Sequence, residues 1–170
     1  MSRKKIYVNQ KKMADKQVMI VALDESDHSF YALEWILTQF YSPPSSSTFK
    51  LIIVHAKTSP VSAIGLGGPG STDVLHLVEA DLKKTAEKVI SRAKDLCTSR
   101  SVTDVQYEVI EGDARNVLCE SVEKFHASVL TLGSHGYGAF KRAVLGSVSD
   151  YCCHHARCSV MIVKKPKQSN

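Results

Sequence analysis

The chain has 170 residues, of which 44% are hydrophobic, so it can bury one substantial core. Its formal net charge of +5 comes from five lysines and arginines in residues 1–12, while the remaining 158 residues carry 17 basic and 17 acidic side chains. Because the folded part lacks a basic excess, this balance argues against a protein that binds DNA or RNA. No apolar stretch approaches the length needed to span a membrane.

The first 16 residues are predicted to form a disordered basic leader. They are too polar for a secretory signal and lack the serine-rich amphipathic pattern of a transit peptide. Met13 lies just before the first apolar run, so Met1 and Met13 are both candidate starts. With five cysteines and no signal peptide, the thiols are predicted to stay reduced, which favours a cytoplasmic or nuclear protein.

The first half of the chain predicts a β-α-β unit. An apolar run at residues 17–23 indicates a buried strand, and residues 24–27 suit the start of a helix that continues to Phe40. A second apolar run at residues 49–55 indicates the next strand. Residues 59–71 contain four glycines and two prolines, and are predicted to form a long flexible loop.

The second half continues the alternation of helices and strands. A long amphipathic helix is followed by a strand at residues 105–110, whose alternating pattern suits a sheet edge with one wet face. Asp113 then caps a helix, and strands at residues 127–132 and 159–163 flank the last helix before a tail at residues 166–170. This order predicts a doubly wound, open five-stranded parallel sheet with helices on both faces, whose ligand crevice opens beside the first strand.

A glycine motif follows the fourth predicted strand. Residues 133–136 (Gly-Ser-His-Gly) leave the strand, and Gly146 and Ser147 open the next helix. Glycines at the carboxyl end of a strand let backbone N–H groups approach a phosphate, and a helix N-terminus offers more donors to the same anion. The motif therefore predicts a bound phosphate.

Three better-known glycine motifs do not fit these residues. Ala139 and Phe140 stand where a Walker-type NTPase needs Lys and Ser/Thr, and the third glycine of a dinucleotide fingerprint is missing after Gly138. Ser134 has no glycine two residues before it, as a nucleophile elbow requires. A Walker NTPase, a dehydrogenase and a serine hydrolase are all disfavoured.

A group of cysteines and histidines near the C-terminus carries ligand types that zinc prefers. On a helix, Cys152 and His155 share one face, whereas Cys153 and His154 point elsewhere, so four ligands do not converge. No metal site is predicted, and Cys158 is expected to pack beside the last strand.

Three segments carry a resemblance to a known family. They are residues 18–26 (Val-Met-Ile-Val-Ala-Leu-Asp-Glu-Ser), residues 51–55 (Leu-Ile-Ile-Val-His) and the glycine motif from Gly133 to Ser147. Together they resemble the universal stress protein family, of the plant kind, over residues 17–165. The resemblance implies a Rossmann-like domain of the adenine nucleotide α-hydrolase type that binds ATP or AMP, with Mg²⁺ as a candidate companion, and a homodimer formed through the C-terminal strand.

The resemblance also implies roles for individual residues. The carboxylate of Asp24 would accept hydrogen bonds from the ribose hydroxyls, and Val54 would contact adenine. From the residues alone, Asp24 also suits a helix cap, Val54 the core and His135 solvent. The nucleotide-binding residues implied by the resemblance are Ala22, Leu23, Asp24, Val54, Gly133, Ser134, His135, Gly136, Tyr137, Gly138, Ala139, Gly146, Ser147, Val148 and Ser149.

The leading hypothesis is an adenine-nucleotide-binding regulatory protein of the stress response that acts as a homodimer and has no catalytic residues. An alternative is a weak ATP hydrolase or phosphotransferase, for which Asp24, His135 and Lys141 are candidates. A third is a redox- or chaperone-type interaction protein that uses Cys152 or Cys153 and needs a thiol of lowered pKa; ordinary thiols are predicted. The sequence does not distinguish ATP from AMP.

Overall fold

The structure is a computed structural model that describes residues 16–43, 47–64, 72–135 and 145–166. The predicted leader before Lys16 and the last four residues of the predicted tail lie outside the described residues. In chain order the described elements are β1 (Gln17–Ala22), α1 (Asp27–Phe40), β2 (Phe49–Lys57), α2 (Pro60–Ile64), α3 (Thr72–Ser99), β3 (Val105–Glu111), α4 (Ala114–Lys124), β4 (Ala127–Gly133), α5 (Ser147–His155) and β5 (Ser159–Val163).

The five strands form one parallel sheet in the order β3-β2-β1-β4-β5. The strand order reverses at β1, which pairs with β2 on one side and with β4 on the other. The predicted doubly wound sheet is therefore confirmed. Connections from neighbouring strands leave in opposite directions at such a reversal, so a crevice opens at the carboxyl ends of β1 and β4.

The sheet has a hydrophobic core on each face. Met19 and Val21 of β1 point to the face covered by α1 and α3, whereas Ile20 and Ala22 point to the face covered by α4 and α5. Successive side chains alternate between faces in a strand, which is why a strand buried on both sides is an unbroken apolar run. Each fully buried aliphatic side chain of this kind stabilises the fold by about 1.5–3 kcal/mol.

Helices α1 and α4 start at polar caps. Ser26 caps α1, because the backbone N–H of Ser29 donates to its Oγ at 3.2 Å. Asp113 caps α4, because the backbone N–H of Arg115 donates to its Oδ1 at 3.0 Å. Both helix starts are confirmed, and an N-cap of this type contributes about 1 kcal/mol.

The prediction of a structureless loop over residues 59–71 is wrong for its first part, where α2 forms. The N–H of Ser62 donates to Ser59 Oγ at 3.2 Å, and the N–H of Ala63 donates to the Ser59 carbonyl at 3.0 Å. Pro60 occupies the first helical position, where its missing N–H costs nothing. Residues 65–71 lie outside the described part of the chain.

β3 lies at one edge of the sheet, as predicted, but its side chains do not alternate cleanly. Residues 105–108 are all half-buried, and the apolar Val109 is 46% exposed. On the face of the sheet that it shares with α1, helix α3 presents Val89, Ala93 and Cys97 to the core and its charged face to solvent. None of the described helices is long and apolar enough to cross a membrane.

Candidate functional site

A cavity of about 240 Å³ lies at the carboxyl ends of β1 and β4, where the sequence predicts a ligand crevice. It is bounded by the strand ends on one side and by α4 and the start of α5 on the other. Its lining residues are Ala22, Leu23, Asp24, Ser29, Val54, Ala56, Ala114, Leu118, Leu132, Gly133, His135, Gly146, Ser147, Val148 and Ser149.

Ten of the fifteen predicted site residues line this cavity. Ser134 lies buried directly beside it, at 4% exposure. The lining residues that sequence reasoning missed are mostly small or apolar side chains, and their ordinary helix or strand periodicity does not distinguish them from core residues. The four remaining predicted residues, which are Gly136, Tyr137, Gly138 and Ala139, lie outside the described residues.

One wall of the cavity is apolar. Val54 of β2, which pairs with the last residue of β1, is fully buried, and Leu132 near the end of β4 is 5% exposed. Leu118 of α4 faces them across the same space. Such a wall binds a flat aromatic ring by apolar contact and excludes water from it.

Ser26 holds the carboxylate of Asp24, and Ser29 holds its backbone. The N–H of Ser26 donates to Asp24 Oδ1 at 3.0 Å, and Ser26 Oγ donates to the same oxygen at 2.5 Å. The N–H of Asp24 donates to Ser29 Oγ at 3.2 Å, while Ser29 Oγ lies 3.0 Å from the Asp24 carbonyl. These bonds fix a half-buried negative charge at the cavity with a defined orientation.

A buried histidine supports the chain where it leaves β1. His55 is 6% exposed, and its Nδ1 lies 2.8 Å from the carbonyl oxygen of Leu23. Because a carbonyl only accepts, Nδ1 carries the proton and donates. The N–H of Leu23 in turn donates to the Val54 carbonyl at 2.9 Å. The chain that leaves β1 is thereby joined to β2 next to Asp24, a role for His55 that the sequence did not predict.

Gly133 allows α1 to pack tightly on the end of β4. A Cβ at this position would lie 2.7 Å from both the carbonyl carbon and the carbonyl oxygen of His28, and 2.9 Å from the Ser29 nitrogen. All three are backbone atoms, which cannot move without shifting α1. This contact accounts for a glycine at position 133 by packing, independently of any phosphate.

The segment after β4 and the start of α5 converge, as the motif predicts. The N–H of Ser134 donates to the Val163 carbonyl at 3.1 Å, and the N–H of Gly146 donates to the Ser134 carbonyl at 2.9 Å. Gly146 is the N-cap of α5 and provides no side-chain hydrogen bond. The N-terminal N–H groups of α5 therefore retain their capacity to bind an anion.

His135 lines the cavity and packs against α1. Its Nδ1 lies 3.1 Å from Ser134 Oγ, and its ring centroid is 5.3 Å from that of His28. His135 is half-buried, so it is held by neighbours and is not simply solvated. Lys141, the other side chain considered for phosphate contact or catalysis, lies outside the described residues.

Burial raises the pKa of four cysteine thiols. They are Cys97, Cys119, Cys152 and Cys158, and the pKa of Cys152 rises to about 12. A thiol that stays protonated at neutral pH is a poor nucleophile, so fast thiol catalysis at Cys152 is not expected. This finding disfavours a redox interaction protein that depends on a reactive Cys152.

The cysteines and histidines near the C-terminus lie in different environments. Cys152 is buried, whereas Cys153, His154 and His155 are exposed. Within the described residues, no group of three His, Cys, Asp or Glu side chains could hold a metal ion.

A model of the universal stress protein family matches residues 17–164. The chain belongs to this family. The match agrees with the resemblance carried by the strand and glycine motifs, and it spans all five strands of the sheet.

Among universal stress proteins of Arabidopsis thaliana, PHOS34 is 30% identical over 162 residues, which cover 86% of this chain and 61% of PHOS34. PHOS32 is 29% identical over 163 residues, which cover 86% of this chain and 64% of PHOS32. The chain thus spans less than two thirds of the length of these two relatives.

Solved structures of universal stress proteins share the fold. One from Arabidopsis thaliana with AMP bound superimposes with a TM-score of 0.63 at 21% identity, covering 88% of this chain and 92% of that one. Another, in complex with cAMP, gives a TM-score of 0.62 at 21% identity and covers 90% of this chain and 100% of that one. These similarities confirm the predicted Rossmann-like α/β fold.

Proposed function

We propose that this universal stress protein binds an adenine nucleotide, ATP or AMP, in the cavity between Asp24 and the start of α5. The observation that carries the proposal is that one cavity joins an apolar wall, a fixed carboxylate and a helix N-terminus. These three features match the three parts of a nucleotide, namely the base, the sugar and the phosphate. The AMP and cAMP complexes of the two related structures support the same ligand class.

Each part of the nucleotide has a group to recognise it. Val54 and Ala22 contact the adenine ring at the apolar wall. The Asp24 carboxylate accepts hydrogen bonds from the ribose hydroxyls, because a carboxylate is an acceptor only and hydroxyls are donors. Donors at Ser147 and Val148 bind phosphate oxygens at the start of α5, where the helix dipole also favours a negative charge.

Mg²⁺ would enter this site with the nucleotide. Asp24 is the one carboxylate among the described lining residues, and a single carboxylate does not hold Mg²⁺ by itself. The phosphate oxygens of ATP would supply most of the ligands. We therefore expect Mg²⁺ to affect binding of ATP more than binding of AMP.

We further propose that the protein acts as a regulatory homodimer that pairs through β5. This strand lies at the sheet edge, and its central residues Val160, Met161 and Ile162 are apolar and half-buried. An apolar edge strand exposes unpaired backbone groups, and pairing with a second copy would satisfy them. Nucleotide binding would then determine which state of the dimer binds partner proteins.

Isothermal titration of nucleotide-stripped protein with ATP and AMP, each with and without Mg²⁺, tests the proposal. Asp24→Asn should weaken AMP binding by roughly tenfold or more, since a charged hydrogen-bond acceptor is lost. Asp27→Asn is the matched control, because Asp27 is exposed and does not line the cavity. A folded protein that binds neither nucleotide would refute the proposal.

The competing enzyme hypothesis is tested on the same samples. Release of phosphate from ATP in many turnovers, lost in Asp24→Asn, would favour a hydrolase. Binding without turnover would favour the regulatory role.

A further inference from the structure

A groove between α3 and the edge strand β3 lies apart from the cavity described above. It has a volume of about 670 Å³, and none of its described lining residues belongs to that cavity. Ala86 and Ile90 of α3 and Val109 of β3 give the groove an apolar part. Val109 is 46% exposed, so this apolar surface is open to solvent. A groove of this size can accept side chains of another molecule.

The edge strand β3 lacks common devices that prevent an edge from pairing with another chain. Within the described residues it pairs with β2 alone, and the register runs without a bulge from Val105 to Glu111. The strand contains neither lysine nor proline, which often protect edges. Glu108 points to the face away from the groove, where its Oε1 accepts a hydrogen bond from Gln106 Nε2 at 2.8 Å. Another strand can therefore add beside β3.

Two lysines beside the groove have no acidic partner. Glu111 is already engaged by Lys57, whose Nζ lies 2.7 Å from Glu111 Oε2. Within the described part of the chain, neither Lys83 nor Lys94 forms an ion pair. Both side chains are exposed and line the groove, and the Nζ of Lys94 lies 5.4 Å from the ring centroid of Tyr107. The groove therefore favours an occupant with negative charges.

We propose that the groove and the edge of β3 form a docking site for an extended acidic segment of a partner protein, which adds to the sheet beside β3. In this mode of recognition, backbone hydrogen bonds to the edge strand give affinity, and pockets for alternate side chains give specificity. β5 lies at the opposite edge of the sheet, so pairing through β5 would leave this site free. The site does not rest on the proposed nucleotide binding.

The spacing of the two lysines predicts a pattern for the docked segment. Lys83 and Lys94 are eleven residues apart on α3, which corresponds to about 16 Å along the helix. Side chains at positions i and i+4 of a strand share a face and lie about 13 Å apart, and flexible lysine side chains cover the difference. An apolar side chain at i+2 would then lie over Val109 and Ile90. Glu87 lines the groove between the two lysines and disfavours an acid at that central position.

Amide chemical shifts of the ¹⁵N-labelled whole chain test this site with a blocked peptide, Thr-Glu-Thr-Val-Thr-Glu-Thr. At peptide concentrations up to about 2 mM, which detect even weak binding, the shifts should be confined to β3 and to residues 83–94 of α3. The double variant Lys83→Glu, Lys94→Glu should bind this peptide roughly tenfold more weakly, because each attraction becomes a repulsion.

Two controls separate the groove from general charge effects. The double variant Lys84→Glu, Lys88→Glu makes the same change in net charge on exposed residues of α3 that do not line the groove, and it should leave the affinity unchanged. The peptide Thr-Lys-Thr-Val-Thr-Lys-Thr should prefer the variant in which residues 83 and 94 are reversed in charge over the unmodified protein.

Three results would overturn this inference. They are the absence of shifts at the highest concentration of the acidic peptide, shifts located in β5 or in the cavity residues, and equal weakening by the two double variants. A protein that binds the peptide at β3 but does not bind AMP would contradict the nucleotide proposal and leave the docking site standing.

Discussion

Ser26 Oγ donates a 2.5 Å hydrogen bond to Oδ1 of Asp24 and accepts another from the N–H of Ser29. One hydroxyl thus caps α1 and orients the carboxylate of the cavity. Ser26→Ala should lower the free energy of unfolding by about 1–2 kcal/mol, measured by urea denaturation. It should also weaken AMP binding several-fold, because Asp24 loses the hydroxyl donor and keeps only the backbone N–H of residue 26.

Ser59→Ala is the control for this prediction. It removes the cap of α2, which does not contribute to the cavity. AMP affinity should stay at the value of the unmodified protein. Equal weakening by both substitutions would mean that affinity follows general stability, and the specific link between Ser26 and Asp24 would fail.

Gly133→Ala tests the close approach of α1 to β4. The new methyl group would meet backbone atoms of His28 at 2.7 Å, so α1 must shift. We expect a loss of about 1–3 kcal/mol in the free energy of unfolding, the range for overpacked sites. Ser128→Ala, at a half-exposed position of the same strand, should change stability by less than about 0.5 kcal/mol. A stable Gly133→Ala protein would show that this contact relaxes easily.

Ionisation of the buried Tyr41 side chain should lower the stability of the fold at alkaline pH. Burial raises its pKa to about 12, whereas tyrosine in the unfolded chain ionises near 10. The folded state therefore favours the neutral phenol, and its advantage falls as the pH rises from about 10 to about 12, by up to about 1.4 kcal/mol per pH unit. Urea denaturation at pH 9 and pH 11 should show a smaller alkaline loss for Tyr41→Phe. Identical losses would contradict the assignment.

Hydrogen exchange tests the proposed pairing of β5. In a homodimer joined through this strand, the β5 amides that do not pair with β4 should exchange slowly, because the second copy accepts their hydrogen bonds. On dilution to monomer they should exchange quickly. β3, the other edge strand, serves as an internal control whose outer amides exchange quickly in both states. Fast exchange in β5 while sedimentation reports a dimer would place the interface elsewhere.

The strands and the main helix starts could be predicted because their signals are local. Val21 and Ile53 belong to unbroken apolar runs, which are typical of strands buried on both faces. Ser26 and Asp113 are polar residues directly before helical periodicity, and both cap helices. The proximity of Asp24 and Gly133 could also be predicted, because the reversal of the strand order at β1 places the crevice where both strands end.

What could not be predicted depends on contacts between distant segments. α2 was missed because its five residues lie among glycines and prolines, which usually indicate loops. Leu118 looks like any core residue of an amphipathic helix, and only the packing of α4 over β2 brings it to the cavity. The sequence pattern predicts that Gly133 lets the backbone approach a phosphate, but it does not show that the backbone of α1 fills the space beside this residue.

The cavity draws its lining from residues as far apart as Ala22 and Ser149. β1 and β2 supply strand ends from one half of the sheet and β4 from the other, and α4 and α5 cover them, so neither half of the sheet contains a whole site. A molecule bound there is released by any opening that separates β4 from β1. A bound ligand should therefore raise the free energy that is needed to open the entire sheet. It should slow amide exchange in both β2 and β4, and not only in one helix. Occupancy of this site reports that the chain has folded from its first strand to its last helix.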